Sequence, residues 1–212
     1  RSNVCYGRSA LMLSGGGVLG FLHVGVVSEL LRQGLLPRVI SGSSAGSIVA
    51  AALAAYTDEE MAELDLVGMM DSDDDGSKSA LWQWVSGMGS RLTAEDTEKL
   101  IAETIPDLTF AEAYAKTGRQ VSITVAPAEP HQRSRLLNAV SSPNVYLRSA
   151  AMASCAIPGV FPAVMLQAKN ELGESQPYLP ARRWVDGSVA DDLPAKRLSR
   201  LFSTNHYIVS MV

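Results

Sequence analysis

The 212-residue sequence lacks the marks of several large protein classes. It has two cysteines, Cys5 and Cys155, and no C-x-x-C motif, which argues against a disulfide framework and a cysteine-ligated zinc site. Its three histidines, His23, His131 and His206, are too scattered to indicate a metal centre. We therefore expect neither a metal nor an organic cofactor.

Strong charge and long apolar runs are also missing. The net charge is −4 with no basic block, so nucleic acid is a poor candidate partner. The sequence contains no run of about eighteen apolar residues, so no membrane span is predicted, and no signal peptide is visible. The acidic stretch Asp71–Ser77 is spaced like a calcium loop, but Trp82 stands where the loop requires glutamate. A solvated loop is the better interpretation.

The composition that remains suits a single packed domain. Hydrophobic residues make up 47% and charged residues 19% of the chain, which fits one α/β domain over residues 1–212. The sequence begins with Arg1 and stops inside the apolar run His206–Val212. We therefore expect a catalytic fragment of a longer protein.

A G-x-S-x-G pentapeptide, Gly42–Gly46, is the most informative motif. It follows the short apolar run Val39–Ile40 and precedes Ser47–Ala55, which has high helix propensity. A strand, a sharp turn and a helix in this order are typical of a nucleophile elbow, with Ser44 at the turn. The helix N-terminus under Ser44 favours negative charge there.

A glycine-rich loop, Ser14–Gly20, lies between an apolar run and an amphipathic stretch that ends before Gly34. A strand that feeds such a loop into a helix presents backbone N–H groups to an anion. The loop also fits G-x-G-x-x-G, but a dinucleotide site requires an acidic residue at the end of the next strand. That strand ends in Ile40–Gly42, so we prefer an oxyanion site for acyl transfer.

A third motif, Trp184–Ser188, ends an apolar segment with Asp186 and Gly187. Alone it is an ordinary turn signal, because Asp-Gly pairs are frequent in turns. Along the whole chain, strand patterns alternate with helix patterns, which predicts a three-layer sandwich with a mainly parallel central sheet flanked by helices. The predicted elements include helices over Ala45–Ala55 and Asp58–Leu66, a helix opened by Thr93–Asp96, a helix with a capping box at Thr109–Glu112 that Gly118 ends, and a strand over Ala163–Leu166 before the polar stretch Gln167–Pro180.

Together the three motifs resemble the patatin-like phospholipase family. Further segments are similar to its triacylglycerol-lipase branch, known from plant oil bodies and yeast lipid droplets: Leu36–Ser47, Leu108–Tyr114, Ala153–Gly159 and Arg183–Ser188. The resemblance implies the patatin-like fold, a lipid ester substrate and no cofactor. It also implies a cytoplasmic or peripherally lipid-associated protein that contacts a membrane or lipid-droplet surface.

For the active site, the resemblance implies a Ser44–Asp186 dyad without histidine, and an oxyanion hole from the amides of Gly15, Gly16 and Gly17. Leu19 departs from the basic residue that many family members carry, which puts cationic help to the oxyanion in doubt but leaves the backbone donors. Ser188 replaces the glycine or alanine that usually follows the Asp-Gly pair, a small change.

Two other hypotheses remain open at this stage. The order Ser44, Asp186, His206 fits the triad of an α/β-hydrolase esterase, although that fold has several strands before its elbow. A non-catalytic lipid-binding relative is the second alternative, and the intact serine, aspartate and glycine loop argue against it.

Overall fold

Alternating strands and helices build a central sheet in the computed structural model, which describes residues 7–63, 93–129 and 131–212. The strands are β1 (Arg8–Leu13), β2 (Val39–Gly42), β3 (Gln120–Pro127), β4 (Arg135–Asn138), β5 (Gln167–Lys169), β6 (Ser175–Pro177), β7 (Trp184–Asp186) and β8 (Thr204–Ser210). A 3-10 helix (Gly17–Phe21) precedes α1 (Leu22–Arg32), and the other helices are α2 (Ala45–Ala55), α3 (Asp58–Glu63), α4 (Ala94–Thr104), α5 (Phe110–Thr117), α6 (Leu147–Ser154), α7 (Ser188–Asp191) and α8 (Ala195–Phe202).

The main sheet is mixed and mostly parallel. Its strand order is β4-β3-β2-β1-β8, and β7 pairs with β3 off this path. Neighbours among β1, β2, β3 and β8 run parallel, while β4 and β7 are antiparallel to β3. The predicted fold class is confirmed. The carboxyl ends of the parallel strands meet at one edge, where open α/β sheets bind their ligands.

Helices cover both faces of the sheet, as alternation along β1 shows. Leu11 and Leu13 pack into the larger core with residues of α1 and α2. Ala10 and Met12 point to the other face, where they meet Leu198 of α8 in a smaller core. Because successive strand residues face opposite sides, both layers bury apolar surface against the same strands.

Helix α2 is the central helix of the larger core, and its bounds Ala45–Ala55 match the prediction. Ten of its eleven residues are buried, and most of them are alanine or other small residues. Alanine has the highest helix propensity and permits close approach to the sheet. At the far end of α2, the buried Arg119 donates hydrogen bonds of 2.6 Å to the carbonyls of Leu53 and Tyr56, which satisfies terminal acceptors of the helix.

The capping signals in the sequence also form as predicted. Thr109 and Glu112 make a reciprocal capping box at the start of α5, and Gly118 ends that helix with a φ of 68°. Thr93 caps α4 in the same way, together with Asp96. These local hydrogen bonds satisfy N–H groups that have no partner inside the helix.

Some predicted elements were wrong. The strand expected over Ala163–Leu166 is only a single bridge, in which Val164 and Trp184 exchange two hydrogen bonds of 2.8 Å. The polar stretch Gln167–Pro180 instead contains the hairpin of β5 and β6. The acidic stretch Asp71–Ser77, and the end of the helix expected over Asp58–Leu66, lie outside the described residues. None of the described helices has both the length and the apolar character to cross a bilayer.

Candidate active site

Ser44 lies at the turn between β2 and α2, as the motif predicts. It precedes the first residue of α2 and has φ 48° and ψ −125°, a left-handed conformation that L residues rarely adopt. Such a backbone costs about 1–3 kcal/mol and persists only where surrounding contacts hold it. The turn therefore resembles a nucleophile elbow in geometry as well as in sequence.

The two motif glycines allow the turn to pack against its neighbours. A side chain on Gly42 would lie 2.2 Å from the carbonyl oxygen of Gly46. A side chain on Gly46 would lie 2.5 Å from the carbonyl oxygen of Leu13. Both contacts involve backbone atoms that cannot move aside, so only glycine fits at either position.

Hydrogen bonds from three elements hold the strained backbone of Ser44. Its N–H donates to the Ser154 hydroxyl at 2.9 Å, and that hydroxyl donates to the carbonyl of Thr124 in β3 at 2.8 Å. The Ser44 carbonyl accepts a 2.6 Å hydrogen bond from the Ser47 hydroxyl and a longer contact of 3.4 Å from the Cys155 thiol. The backbone of the nucleophile turn is thus tied to α2, α6 and β3.

Strand β7 brings Asp186 to the same place. The last residue of β2, Gly42, pairs with Ile123 of β3. Val125 of β3 pairs with Arg135 of β4 on one side and with Asp186 on the other, so β7 continues along the side that β2 occupies. Asp186 therefore follows Gly42 by two residues along β3, about 7 Å.

The glycine loop completes the cluster. A methyl group placed on Gly15 would lie 3.3 Å from Cβ of Ser44 and 3.1 Å from Cβ of Ser188. Gly15 therefore lies between the nucleophile turn and the residues after Asp186. All three motifs found in the sequence meet at the carboxyl edge of the parallel strands.

The loop amides differ in what they bind. The Gly15 N–H donates a 2.8 Å hydrogen bond to Oδ1 of Asp192. Within the described residues, the amides of Gly16 and Gly17 donate to no protein acceptor. Gly16 and Gly17 are therefore free to bind an oxyanion, whereas Gly15 can do so only if its bond to Asp192 breaks.

The Asp186 carboxylate and the Ser44 hydroxyl differ in their hydrogen bonds. Asp186 is 2% exposed, and its Oδ1 accepts a 2.8 Å hydrogen bond from the Ser188 amide. Over the described part of the chain, the Ser44 hydroxyl forms no hydrogen bond with Asp186 or any other group. Catalytic hydrogen bonds are often long in an unliganded enzyme and tighten when substrate binds. A proton transfer from the Ser44 hydroxyl to Asp186 would require the two side chains to move closer together.

His206 does not join the cluster. It is the third residue of β8, pairs in register with Ser9, and accepts or donates a 3.0 Å hydrogen bond at the Ser9 hydroxyl. Leu13, at the active-site end of β1, lies four residues further along the strand, about 13 Å away. The geometry does not support the triad of Ser44, Asp186 and His206.

His23 has a role that sequence patterns did not indicate. It is fully buried, and its Nε2 contacts the Ser14 carbonyl at 3.0 Å while its Nδ1 contacts the Ser210 hydroxyl at 2.7 Å. A carbonyl only accepts, so Nε2 carries the proton and Nδ1 accepts from Ser210. Burial lowers the pKa of His23, which favours this neutral form. His23 therefore anchors the start of the glycine loop to β8.

Other supporting residues were also missed. Ser154 and Asp192 lie far from Ser44 in the chain, and no local pattern connects them to the elbow. Ser154 belongs to the segment Ala153–Gly159, which resembles the lipase branch, but that resemblance assigns it no role.

Cys155 gives a prediction that is independent of turnover. Burial, and the negative charge of Asp186 nearby, raise the pKa of the Cys155 thiol to about 12. Because the thiolate is the reactive form, iodoacetamide at pH 8 should leave Cys155 unmodified in the folded protein and modify it fully in urea. Peptide mapping by mass spectrometry separates Cys155 from Cys5. Equal rates in both states would contradict the buried setting.

The described residues contain no group of three or more histidine, cysteine, aspartate or glutamate side chains suited to a metal ion. The candidate calcium loop, Asp71–Ser77, lies outside that set.

Comparisons with known proteins identify the family. The family model of patatin-like phospholipase matches residues 11–198. Triacylglycerol lipase 4 of Saccharomyces cerevisiae is 43% identical over 220 residues, which cover 97% of this chain and 24% of the lipase. Triacylglycerol lipase 5 of the same yeast is 39% identical over 224 residues, which cover 97% of this chain and 30% of the lipase. The chain thus spans less than a third of either relative.

Among solved structures, VipD from Legionella pneumophila superposes with a TM-score of 0.46 and 16% identity, covering 88% of this chain and 47% of VipD. The family match includes Ser44, Asp186 and the whole glycine loop. This chain belongs to the patatin-like phospholipase family.

Proposed function

We propose that the chain is the catalytic domain of a serine lipid acyl hydrolase that cleaves carboxylic ester bonds of triacylglycerols or glycerophospholipids. The observation that carries this proposal is the strained Ser44 turn, with the Asp186 strand and the glycine loop packed around it. The names of the relatives support lipid esters as substrates. A non-catalytic lipid-binding role would not need this set of groups.

The proposed reaction has two steps. Ser44 Oγ attacks the ester carbonyl, Asp186 accepts the hydroxyl proton, and the leaving alcohol takes that proton as its bond to the acyl carbon breaks. Water then attacks the acyl-enzyme, with Asp186 as its base, and the fatty acid leaves as Ser44 is regenerated. The loop amides and the α2 N-terminus stabilise the oxyanion in both steps.

A substrate panel tests this proposal. The full chain and its Ser44→Ala variant are compared on triolein emulsions, phosphatidylcholine vesicles and soluble p-nitrophenyl esters. Release of fatty acid or nitrophenol by the wild type, and not by the variant, is expected on at least one lipid. Equal rates for the two proteins on every ester would overturn the proposal. The ratio between triolein and phosphatidylcholine rates assigns the substrate class.

The same emulsions and vesicles test the proposed partner, a membrane or lipid-droplet surface. We expect the protein to float with lipid in a density gradient, because its ester substrates lie within lipid aggregates. Protein that hydrolyses soluble esters but stays at the bottom of the gradient would contradict this contact.

A substitution in the glycine loop should act on the chemical step. A methyl group on Gly15 would enter the space beside Ser44, where the acyl group must sit, and would press on Ser188. We expect Gly15→Ala to displace the neighbouring Gly16 and Gly17 amides and so to lower kcat by roughly two to three orders of magnitude, the scale for loss of an oxyanion contact, with a smaller change in KM.

Gly25→Ala is the matched control, because Gly25 lies in α1 with open space around its Cα. It should keep wild-type kcat and gain about 0.5–1 kcal/mol of stability, since alanine is the better helix former. A Gly15→Ala variant with near wild-type kcat would show that the loop is purely structural.

A further inference from the structure

Asp192 links the two halves of the proposed active site. It follows α7 and is partly buried. Its Oδ1 accepts the Gly15 N–H at 2.8 Å, and its backbone carbonyl accepts the Ser43 hydroxyl at 3.0 Å. One residue thus contacts both the glycine loop and the residue before the nucleophile.

We propose that Asp192 is a positioning residue, whose carboxylate fixes the Gly15 amide and thereby directs the free amides of Gly16 and Gly17 toward the oxyanion. This inference rests on the proposed function for its effect on catalysis, but the contact itself can be tested separately.

The chemistry of the contact favours anchoring. A hydrogen bond from an amide to a carboxylate is shorter and stronger than one between neutral groups, so it restrains the loop well. The loop needs restraint because the oxyanion donors must keep their direction before the charge develops. His23 holds the Ser14 carbonyl, which belongs to the same peptide group as the Gly15 N–H, so the two contacts together fix both polar atoms of that peptide at the start of the loop.

The carboxylate lies in a setting that disfavours its charge. Burial, and the nearby negative charge of Asp186, raise the pKa of Asp192, while the hydrogen bond from the Gly15 amide opposes the rise. A neutral acceptor of the same shape would avoid the cost of burying charge and keep the hydrogen bond.

The opposite role is a plug: a carboxylate that occupies the Gly15 amide and must leave before an oxyanion binds there. The two roles predict opposite changes in rate. Removing an anchor lowers kcat, whereas removing a plug raises it.

The experiment compares Asp192→Ala with Asp192→Asn in the full chain. Alanine removes the acceptor, and we expect kcat to fall about ten- to a hundredfold with KM changed less than about threefold. Asparagine keeps an Oδ1 acceptor, so its kcat should stay within about threefold of wild type. Asp191→Ala is the matched control, because that neighbouring carboxylate pairs with Arg197 at 3.2 Å instead.

Hydrogen exchange of the Gly15 amide, read by NMR, provides a measurement that does not need turnover. Protection should be lost in Asp192→Ala and kept in Asp192→Asn and Asp191→Ala. Unchanged protection in the alanine variant, or a higher kcat, would overturn the proposal. A wild-type protein that matches Ser44→Ala on all esters would instead overturn the proposed function, and the exchange result would still decide whether Asp192 holds the loop.

Discussion

Ser44→Ala is expected to abolish both ester turnover and covalent labelling by a fluorophosphonate. Ser44 is the residue at the strained turn, and its hydroxyl is free of hydrogen bonds to the described residues, so no other group there is equally prepared to attack. Loss of a serine nucleophile elsewhere lowers kcat by roughly four to six orders of magnitude, and we expect a loss on that scale here. The labelled peptide of the wild type should map to Ser44.

Two neighbouring serines make this assignment easy to mistake. Ser43 donates its hydroxyl to the Asp192 carbonyl and Ser47 donates to the Ser44 carbonyl, so both hydroxyls are engaged in holding the turn. Ser43→Ala and Ser47→Ala should therefore still carry the adduct on Ser44, whatever their rates. Ser9→Ala is the control for general loss of a hydroxyl, because Ser9 lies at the other end of β1 from the proposed site. Labelling that persists in Ser44→Ala, or that maps to Ser43, would refute the assignment.

Local patterns were enough to predict the turn and the helix that hold Ser44. The elbow depends on glycine spacing and helix propensity within about fifteen residues, and α2 begins and ends where the sequence predicts. The capping box of Thr109 and Glu112 is equally local. For the capping box, the energy that selects the conformation comes from residues adjacent in the chain, which is why the sequence reveals it.

The residues that support the site could not be found this way. Asp192 lies 177 residues from Gly15, and Ser154 lies 110 residues from Ser44, so only the folded sheet brings them together. The short strand β7 was recognised through the Asp186 motif, yet its pairing with β3 on the β2 side depends on register. Apolar residues around Val164 predicted a strand, but they form only one bridge, with Trp184. In each of these cases the outcome depends on contacts between distant parts of the chain.

Placement of the carboxylate distinguishes the dyad from the triad more directly than the motif does. Asp186 ends β7 beside the turn, whereas His206 lies at the opposite edge with the Ser9 hydroxyl as its hydrogen-bond partner. An acid that acts directly on Ser44 needs no other residue between them. For a triad, His206 would have to move about 13 Å along β1 to reach the proposed site. The register of the parallel pairing between β1 and β8 does not allow that shift.

Asp186→Asn is therefore expected to abolish turnover, with kcat lowered about 10⁴-fold, the scale for an aspartate-to-asparagine change in a hydrolase active site. An amide cannot take the Ser44 proton. It can still accept the Ser188 N–H through Oδ1, so the fold should survive, as circular dichroism and thermal unfolding would show. Loss of rate in a folded protein separates chemistry from stability.

His206→Ala is the matched comparison, because the triad hypothesis requires it to be as damaging as Asp186→Asn. The substitution removes one exposed hydrogen bond, to Ser9, and should change kcat by no more than a few-fold. Steady-state kinetics on one soluble ester, measured for both variants and the wild type, decides between the mechanisms. If His206→Ala is inactive while its circular dichroism matches wild type, a histidine takes part in catalysis and the Ser44–Asp186 dyad is wrong. If only Asp186→Asn is inactive, the proton passes to the carboxylate that β7 places beside the nucleophile.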